Sequence, residues 1–221
     1  MIHADFSGKV AVVTGGSGAL CSEFCRALAK AGAKVAVIGS RPETAEKVAA
    51  EIRERGGEAI GVACDVLNEE SIRAAEETIF QHYGQYHILI NGAGGAPASA
   101  CTTGEHADFG SLDAPGSQEN TLFNLSSQAV SAVLDLNCMG IFNVTKIFVE
   151  GANILNISSM SAISPLTKQV AYSASKAAVS NLTQWLATYL APVGIRVNAI
   201  APGFFSTKIN RHLLFREDGS Y

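Results

Sequence analysis

No apolar run in this chain of 221 residues approaches the roughly 20 residues of a membrane-spanning helix. Its start, Met1-Ile2-His3-Ala4-Asp5-Phe6-Ser7-Gly8, lacks both the charged region and the apolar stretch of a signal peptide. Charge is sparse too, at 16% of residues, and 16 Lys and Arg against 20 Asp and Glu give a net charge of -4 with no basic cluster. These absences argue against a membrane or nucleic-acid partner, and a soluble, cytoplasmic protein is expected. Cysteine is scarce and unpatterned: Cys21, Cys25, Cys64, Cys101 and Cys138 are an odd number with no Cys-x-x-Cys pair, so neither a disulfide framework nor a metal site is expected. Cys21 and Cys25 share a helical face and read as packing thiols. What the chain does have is apolar residues, 48% of the total, enough for one well-buried domain.

Short apolar runs at 9–14, 34–40, 58–65, 86–91, 153–158 and 195–201 read as buried strands. Amphipathic segments lie between them. The first helix is expected over 18–31 with Gly32 as its stop, and the second over 42–55, with Pro42 in its first turn and Gly56-Gly57 behind it. Asn68 caps a third, whose first turn carries Glu69 and Glu70 where the helix dipole favours negative charge. A further helix spans 125–149. This alternation predicts an α/β fold: a doubly wound parallel sheet (Rossmann fold) in a single domain over residues 1–221, without internal repeats. Ligands bind outside the carboxyl ends of such strands, so motifs there carry the most functional weight. The Gly-, Ala-, Ser- and Thr-rich stretch at about 93–125 follows one strand end and reads either as a substrate cover or as a surface excursion. Glu105, His106 and Asp108 within it are candidate substrate contacts.

Two motifs carry chemistry. The turn Val13-Thr14-Gly15-Gly16-Ser17-Gly18-Ala19-Leu20-Cys21 joins the first strand to the first helix, where backbone amides and the helix dipole can receive a pyrophosphate. Tyr172-Ser173-Ala174-Ser175-Lys176 lies 13 residues after Ser159 of Asn156-Ile157-Ser158-Ser159. A Tyr and a Lys four apart on a helix share one face. The ammonium can then favour the phenolate, giving a proton donor for a carbonyl or a base for an alcohol. Tyr-x-x-x-Lys alone arises often by chance; the surrounding residues give it meaning.

Thr14-Gly15, Asn91-Gly92-Ala93-Gly94, Asn137, Ser159, Tyr172-x-x-x-Lys176 and Pro202-Gly203 follow in the order of the short-chain dehydrogenase/reductase family, which the chain resembles over nearly its whole length. The resemblance implies Tyr172 as acid/base, Lys176 as its activator and a ligand of the nicotinamide ribose, Ser159 polarising the substrate carbonyl and Asn137 supporting a proton relay. It implies an NAD or NADP site at Thr14, Gly15, Ser17, Gly18, Leu20, Ser40, Arg41, Asp65, Val66, Asn91, Gly92, Ala93, Tyr172, Lys176, Pro202, Gly203 and Thr207. The second strand ends Gly39-Ser40-Arg41, without the acid that would bind the ribose 2′-hydroxyl of NAD, which favours NADP. The long loop, Ser158-Ser159-Met160-Ser161-Ala162 and the segment from Ala201 to Leu214 resemble a sugar-acid branch, the D-mannonate oxidoreductases or fructuronate reductases. Arg211, with Lys208 in reserve, would bind a uronate carboxylate.

Ala19 and Cys21 stand where the family has glycines, and Cys21 places a side chain where tight helix-to-strand packing is expected. Asn156 follows Asn137 by only 19 positions, a short span in which a helix would still recross the sheet. The chain also stops at Tyr221, before the family's last helix and strand, leaving 195–201 as an exposed edge and the family's homo-oligomer in question. A small-molecule hydride-transfer enzyme is expected; the rival readings are a catalytically impaired cofactor-binding module and a nucleotide-sugar epimerase or dehydratase.

Overall fold

The structure is a computed structural model that describes residues 4–107 and 119–204. Its first strand, β1 (Val10–Thr14), is buried along its whole length because helices cover both faces of the sheet, which is why it reads VAVVT with no polar alternation. The strands β2 (Lys34–Gly39), β3 (Glu58–Ala63), β4 (Ile88–Asn91), β5 (Asn153–Ile157) and β6 (Val197–Ile200) complete a six-stranded sheet in the order β3-β2-β1-β4-β5-β6. Every described pairing is parallel. The order reverses between β1 and β4, the switch point at which a doubly wound sheet opens a crevice. Thr14 stands level with Asn91, and Asn91 with Asn156, so three strands bring polar residues at or next to their ends to one place.

The helices α1 (Ala19–Lys30) and α2 (Pro42–Glu54) pack on one face, burying Cys21, Cys25, Val48, Ala49 and Ile52 against Val13, Val35 and Val37. On the other face α3 (Glu69–Tyr83) contributes Ile72, Ala75 and Ile79, a spacing that keeps one stripe inward. Asn68 caps α3 as expected, its Oδ1 accepting from Ser71 N–H at 3.0 Å, and Gly84 closes the helix at φ 73°.

The next helix is interrupted. The segments α4 (Ser127–Leu134) and α5 (Gly140–Phe148) are joined by a π turn over Asp135–Met139, closed by Gly140 N–H donating to Asp135 O. As a continuous run, 127–148 is long and apolar enough to cross a membrane, contrary to the expectation from sequence. Val144 and Phe148 are buried in the core beneath the sheet, and they account for part of that apolar character; a third of the run is buried. The last described helix, α6 (Val170–Leu190), lies beside β5 and β6, and β6 forms one edge of the described sheet.

Candidate active site

The turn after β1 is shaped by close backbone approach. Gly15 has φ 63°, and a β-carbon there would lie 2.7 Å from Gly92 O and 2.8 Å from Ala93 N. Only glycine fits this position. Gly18 precedes α1, no side chain caps that helix and its first turn holds no acid, so its amide end is left to an outside anion. Thr14 fixes the opposite wall: its Oγ1 accepts from Gly92 N–H at 3.1 Å and Ala93 N–H at 3.2 Å.

Between these walls lies a cavity of about 250 Å³ lined by Gly15, Ser17, Gly18, Ser40, Asp65, Val66, Gly92 and Ala93, all expected from the sequence. Ile38, Gly39, Cys64, Gly94 and Leu136 line it too. Apolar wall residues such as Ile38 and Leu136 carry no chemical signature in a sequence, whereas Gly94 sits in a motif that already marked its neighbours. Asp65 also accepts from Leu67 N–H at 2.9 Å through Oδ1, steadying the approach to α3. Leu20 packs into the core cluster between α1 and the sheet, Arg41 is exposed where α2 begins, and neither lines the cavity. Glycine-lined walls, an uncapped helix start and an acid at the end of β3 are groups suited to a nucleotide's phosphates and hydroxyls.

Cys21 needs reinterpretation. Its Sγ lies 2.1 Å from where a β-carbon on Gly92 would sit. Helix and strand therefore do meet closely, with the missing side chain on Gly92 rather than at position 21, and the expected packing defect is absent. Burial pushes the Cys21 thiol up to about 11, so it is an uncharged packing group.

Asn137 sits in the π turn, completely buried, and its side chain is locked. Gly95 N–H donates to its Oδ1 at 2.8 Å, while its Nδ2 donates to Gly95 O at 3.0 Å and Ser175 Oγ at 2.9 Å. Ser175 in turn donates to Tyr172 O at 2.7 Å, linking the π turn to the first turns of α6. Lys176 is 5% exposed; its Nζ donates to Ile157 O at 2.7 Å and stands 5.5 Å from the centre of the Tyr172 ring. Burial draws the ammonium down to about 8, with Cys21 and Cys138 pulling weakly in the opposite direction.

The Tyr172 ring packs on a small cluster of Ala100, Val133 and Ala171, so the long loop contributes a buttress to the tyrosine. The loop is pinned by Thr102 N–H donating to Lys168 O at 2.9 Å, just ahead of α6, and by Thr103 N–H donating to Asn120 O at 2.8 Å. Glu105 and His106 are exposed on its described limb, and Asp108 lies outside the described residues. Ser159 Oγ accepts from Ser161 N–H at 3.2 Å, which leaves its proton uncommitted among the described residues. Met160 N–H donates to Pro202 O at 3.0 Å, bringing Pro202 and Gly203 beside Ser159. Thr207, Lys208 and Arg211 lie outside the described residues.

The comparisons with known proteins agree with this geometry. A family model described as short chain dehydrogenase matches residues 9–217. An uncharacterized oxidoreductase of Bacillus subtilis, UxuB, is 42% identical over all of this chain and 79% of its own length. Glucose 1-dehydrogenase 2 of the same organism is 31% identical, over 95% of this chain and 76% of that one. Among solved structures, a candidate D-mannonate oxidoreductase from Haemophilus influenza with bound NAD superposes with a TM-score of 0.91 at 41% identity, over 98% of this chain and 78% of that chain. An NAD+-bound xylitol dehydrogenase gives 0.79 at 30% identity, over 92% and 73%. With the switch-point crevice, the glycine turn after β1 and the ordered motif residues all gathered about the carboxyl ends of one parallel sheet, the chain belongs to the short chain dehydrogenase family and is an NAD(P)-dependent oxidoreductase.

Proposed function

We propose that the protein interconverts a secondary alcohol and a ketone on a sugar acid such as mannonate and fructuronate. One observation carries the placement of the chemistry. Gly94 lines the cavity, and a β-carbon on it would lie 2.6 Å from Asn137 Oδ1 and 3.7 Å from Lys176 Nζ. The cavity therefore ends against the two buried polar groups that flank Tyr172 in the fold. When bound, the nicotinamide supplies or takes the hydride. Tyr172, whose hydroxyl bonds no other described residue, gives a proton to the carbonyl oxygen in reduction and takes one from the alcohol in oxidation. Ser159 donates its free O–H to the same oxygen, Lys176 favours the phenolate by its charge, and Asn137 holds the relay side of the site.

The sugar-acid assignment draws support from the likeness to a candidate D-mannonate oxidoreductase. Arg211, with Lys208 behind it, is proposed as the cation for the carboxylate, and Thr207 as a nicotinamide contact. Coenzyme choice is proposed to rest on the end of β2, where the lack of an acid favours NADP. A β-carbon on Gly39 would meet Ser17 Oγ at 3.1 Å, and that oxygen lies 3.2 Å from Thr44 Oγ1. Gly39→Asp therefore requires Ser17 to turn slightly and puts a carboxylate where a 2′-phosphate would lie. The expected result is a shift of about tenfold or more toward NAD in the ratio of kcat/KM values; an unchanged ratio would place the determinant elsewhere.

The test of the proposal is a fluorescence titration of the purified chain with NADH and NADPH, followed by addition of fructuronate. Binding followed by oxidation of the nucleotide is expected. Binding without oxidation would overturn the substrate class, and failure of the folded chain to bind either nucleotide would overturn the reading of the cavity.

A further inference from the structure

Half of the Asn156-Ile157-Ser158-Ser159 motif has no part in the chemistry above, yet it makes the most direct contacts with the helix that carries the chemistry. Three consecutive residues at the end of β5 each grip α6. Asn156 Nδ2 donates to Thr183 Oγ1 at 3.0 Å, Ile157 O accepts from Lys176 Nζ at 2.7 Å, and Ser158 Oγ donates to Lys176 O at 3.1 Å. Asn156, Ser158, Thr183 and Lys176 are all buried, so water does not compete for these bonds.

We propose that Ser158 is a positioning residue for Lys176, its hydroxyl tying the backbone of the lysine to β5 while the carbonyl of the preceding residue takes the ammonium. A lysine has a flexible four-carbon stem, and fixing both of its ends against adjacent residues of one strand removes most of that freedom. The inference rests on Lys176 belonging to the hydride-transfer site.

A neighbouring hydroxyl supplies the internal control. Ser180 Oγ also lies 3.1 Å from Lys176 O and 2.7 Å from Ser158 Oγ. Two hydroxyls carry two protons for three short contacts, so at any moment one donates to the carbonyl and the other to its neighbour's oxygen. Either serine alone therefore supplies a hydroxyl to this carbonyl, which inside α6 also faces the backbone N–H four residues on. The two are unequal in what they connect: Ser180 bonds back four residues within its own helix, whereas Ser158 joins the helix to the sheet. If satisfying the carbonyl were all that mattered, removing either would have the same effect. If position matters, only Ser158 counts.

The test compares Ser158→Ala, Ser180→Ala and Ser158→Thr in the full chain, without coenzyme and then with it. Titration of the Lys176 amine, followed by NMR on lysine-labelled protein without coenzyme, reads the placement directly. The groups facing it are Tyr172 of α6, Cys21 of α1 and Cys138 of the π turn, and none of them is altered. Ser158→Ala is expected to move the titration upward from about 8 as the stem gains reach toward water, with Ser180→Ala unchanged and Ser158→Thr restored. In turnover, kcat of Ser158→Ala is expected to fall about tenfold at a retained melting temperature, and that of Ser180→Ala less than twofold. Equal effects from both alanine variants, or an unmoved Lys176 titration in Ser158→Ala, would overturn the inference. If the unaltered chain neither binds NADH nor turns over, the hydride-transfer reading falls, and the lysine titration still decides whether Ser158 positions it.

Discussion

Tyr172→Phe is expected to remove turnover, by about 10²–10⁴-fold, while leaving NADH binding nearly intact. The ring packs against Ala100, Val133 and Ala171, contacts that phenylalanine keeps, and the hydroxyl bonds no other described residue, so its loss orphans no buried partner. What disappears is the proton that must accompany the hydride. Steady-state kinetics alongside an NADH titration check this, and unchanged activity would reject Tyr172 as the acid/base. A parallel collapse of NADH binding would show instead that the phenol helps build the coenzyme site.

Lys176→Met should abolish turnover as well, and it has a second expected effect, on stability. Burial draws the folded-state ammonium from its usual 10.5 down to about 8. Between those two values the unfolded chain holds a proton that the folded chain has released, so stability contributed by this group rises with pH across that window. Below about 8 both states are protonated, and the folded state bears the full cost of a buried charge. The variant lacks this titration. Wild type should therefore gain on Lys176→Met as pH rises from 8 toward 10, by at most about 1.4 kcal/mol per pH unit for one proton. Tyr83, pushed upward by burial, titrates at high pH in either chain; Cys21, also raised by burial, senses the Lys176 charge, so the lysine is read most cleanly between pH 8 and the ordinary thiol value of 9.0. Urea unfolding of both proteins at several pH values measures it; parallel curves would show that the lysine is solvated in solution.

The same lysine shows why a stabilising substitution can be lethal to activity. A buried ammonium is costly in a fold that otherwise fills this face of the sheet with Ile72, Ile79, Val144 and Phe148. On the proposed mechanism the site retains it because the charge is needed beside the phenol. Asn91, Asn156 and Thr145 form a similar buried polar patch at the strand ends, with Asn91 Nδ2 donating to both Asn156 Oδ1 at 2.9 Å and Thr145 Oγ1 at 3.1 Å. Polar groups enter this core where three strands end together, and nowhere along the middle of β1.

The order of strands and helices was legible in the sequence because it rests on short-range signals: apolar runs of strand length, Pro42 opening α2, Asn68 capping α3, and glycines behind helices. The ordered residues Thr14, Asn91, Asn137, Ser159, Tyr172 and Lys176 were legible through the order in which they resemble the family's motifs, since neither Asn137 nor Ser159 alone differs from an ordinary buried or capping residue. The tertiary structure alone decided the matters that depend on residues far apart in the chain. Cys21 is tolerated because Gly92, just past the end of β4, has no side chain. In the stretch 127–148, apolar enough for a membrane, α5 sets Val144 and Phe148 into the core because a sheet lies against it, and the π turn presents Asn137 to the backbone of Gly95. Local propensity reports what one segment prefers. Complementarity between two surfaces belongs to the pair, and it exists only once the chain has brought them together.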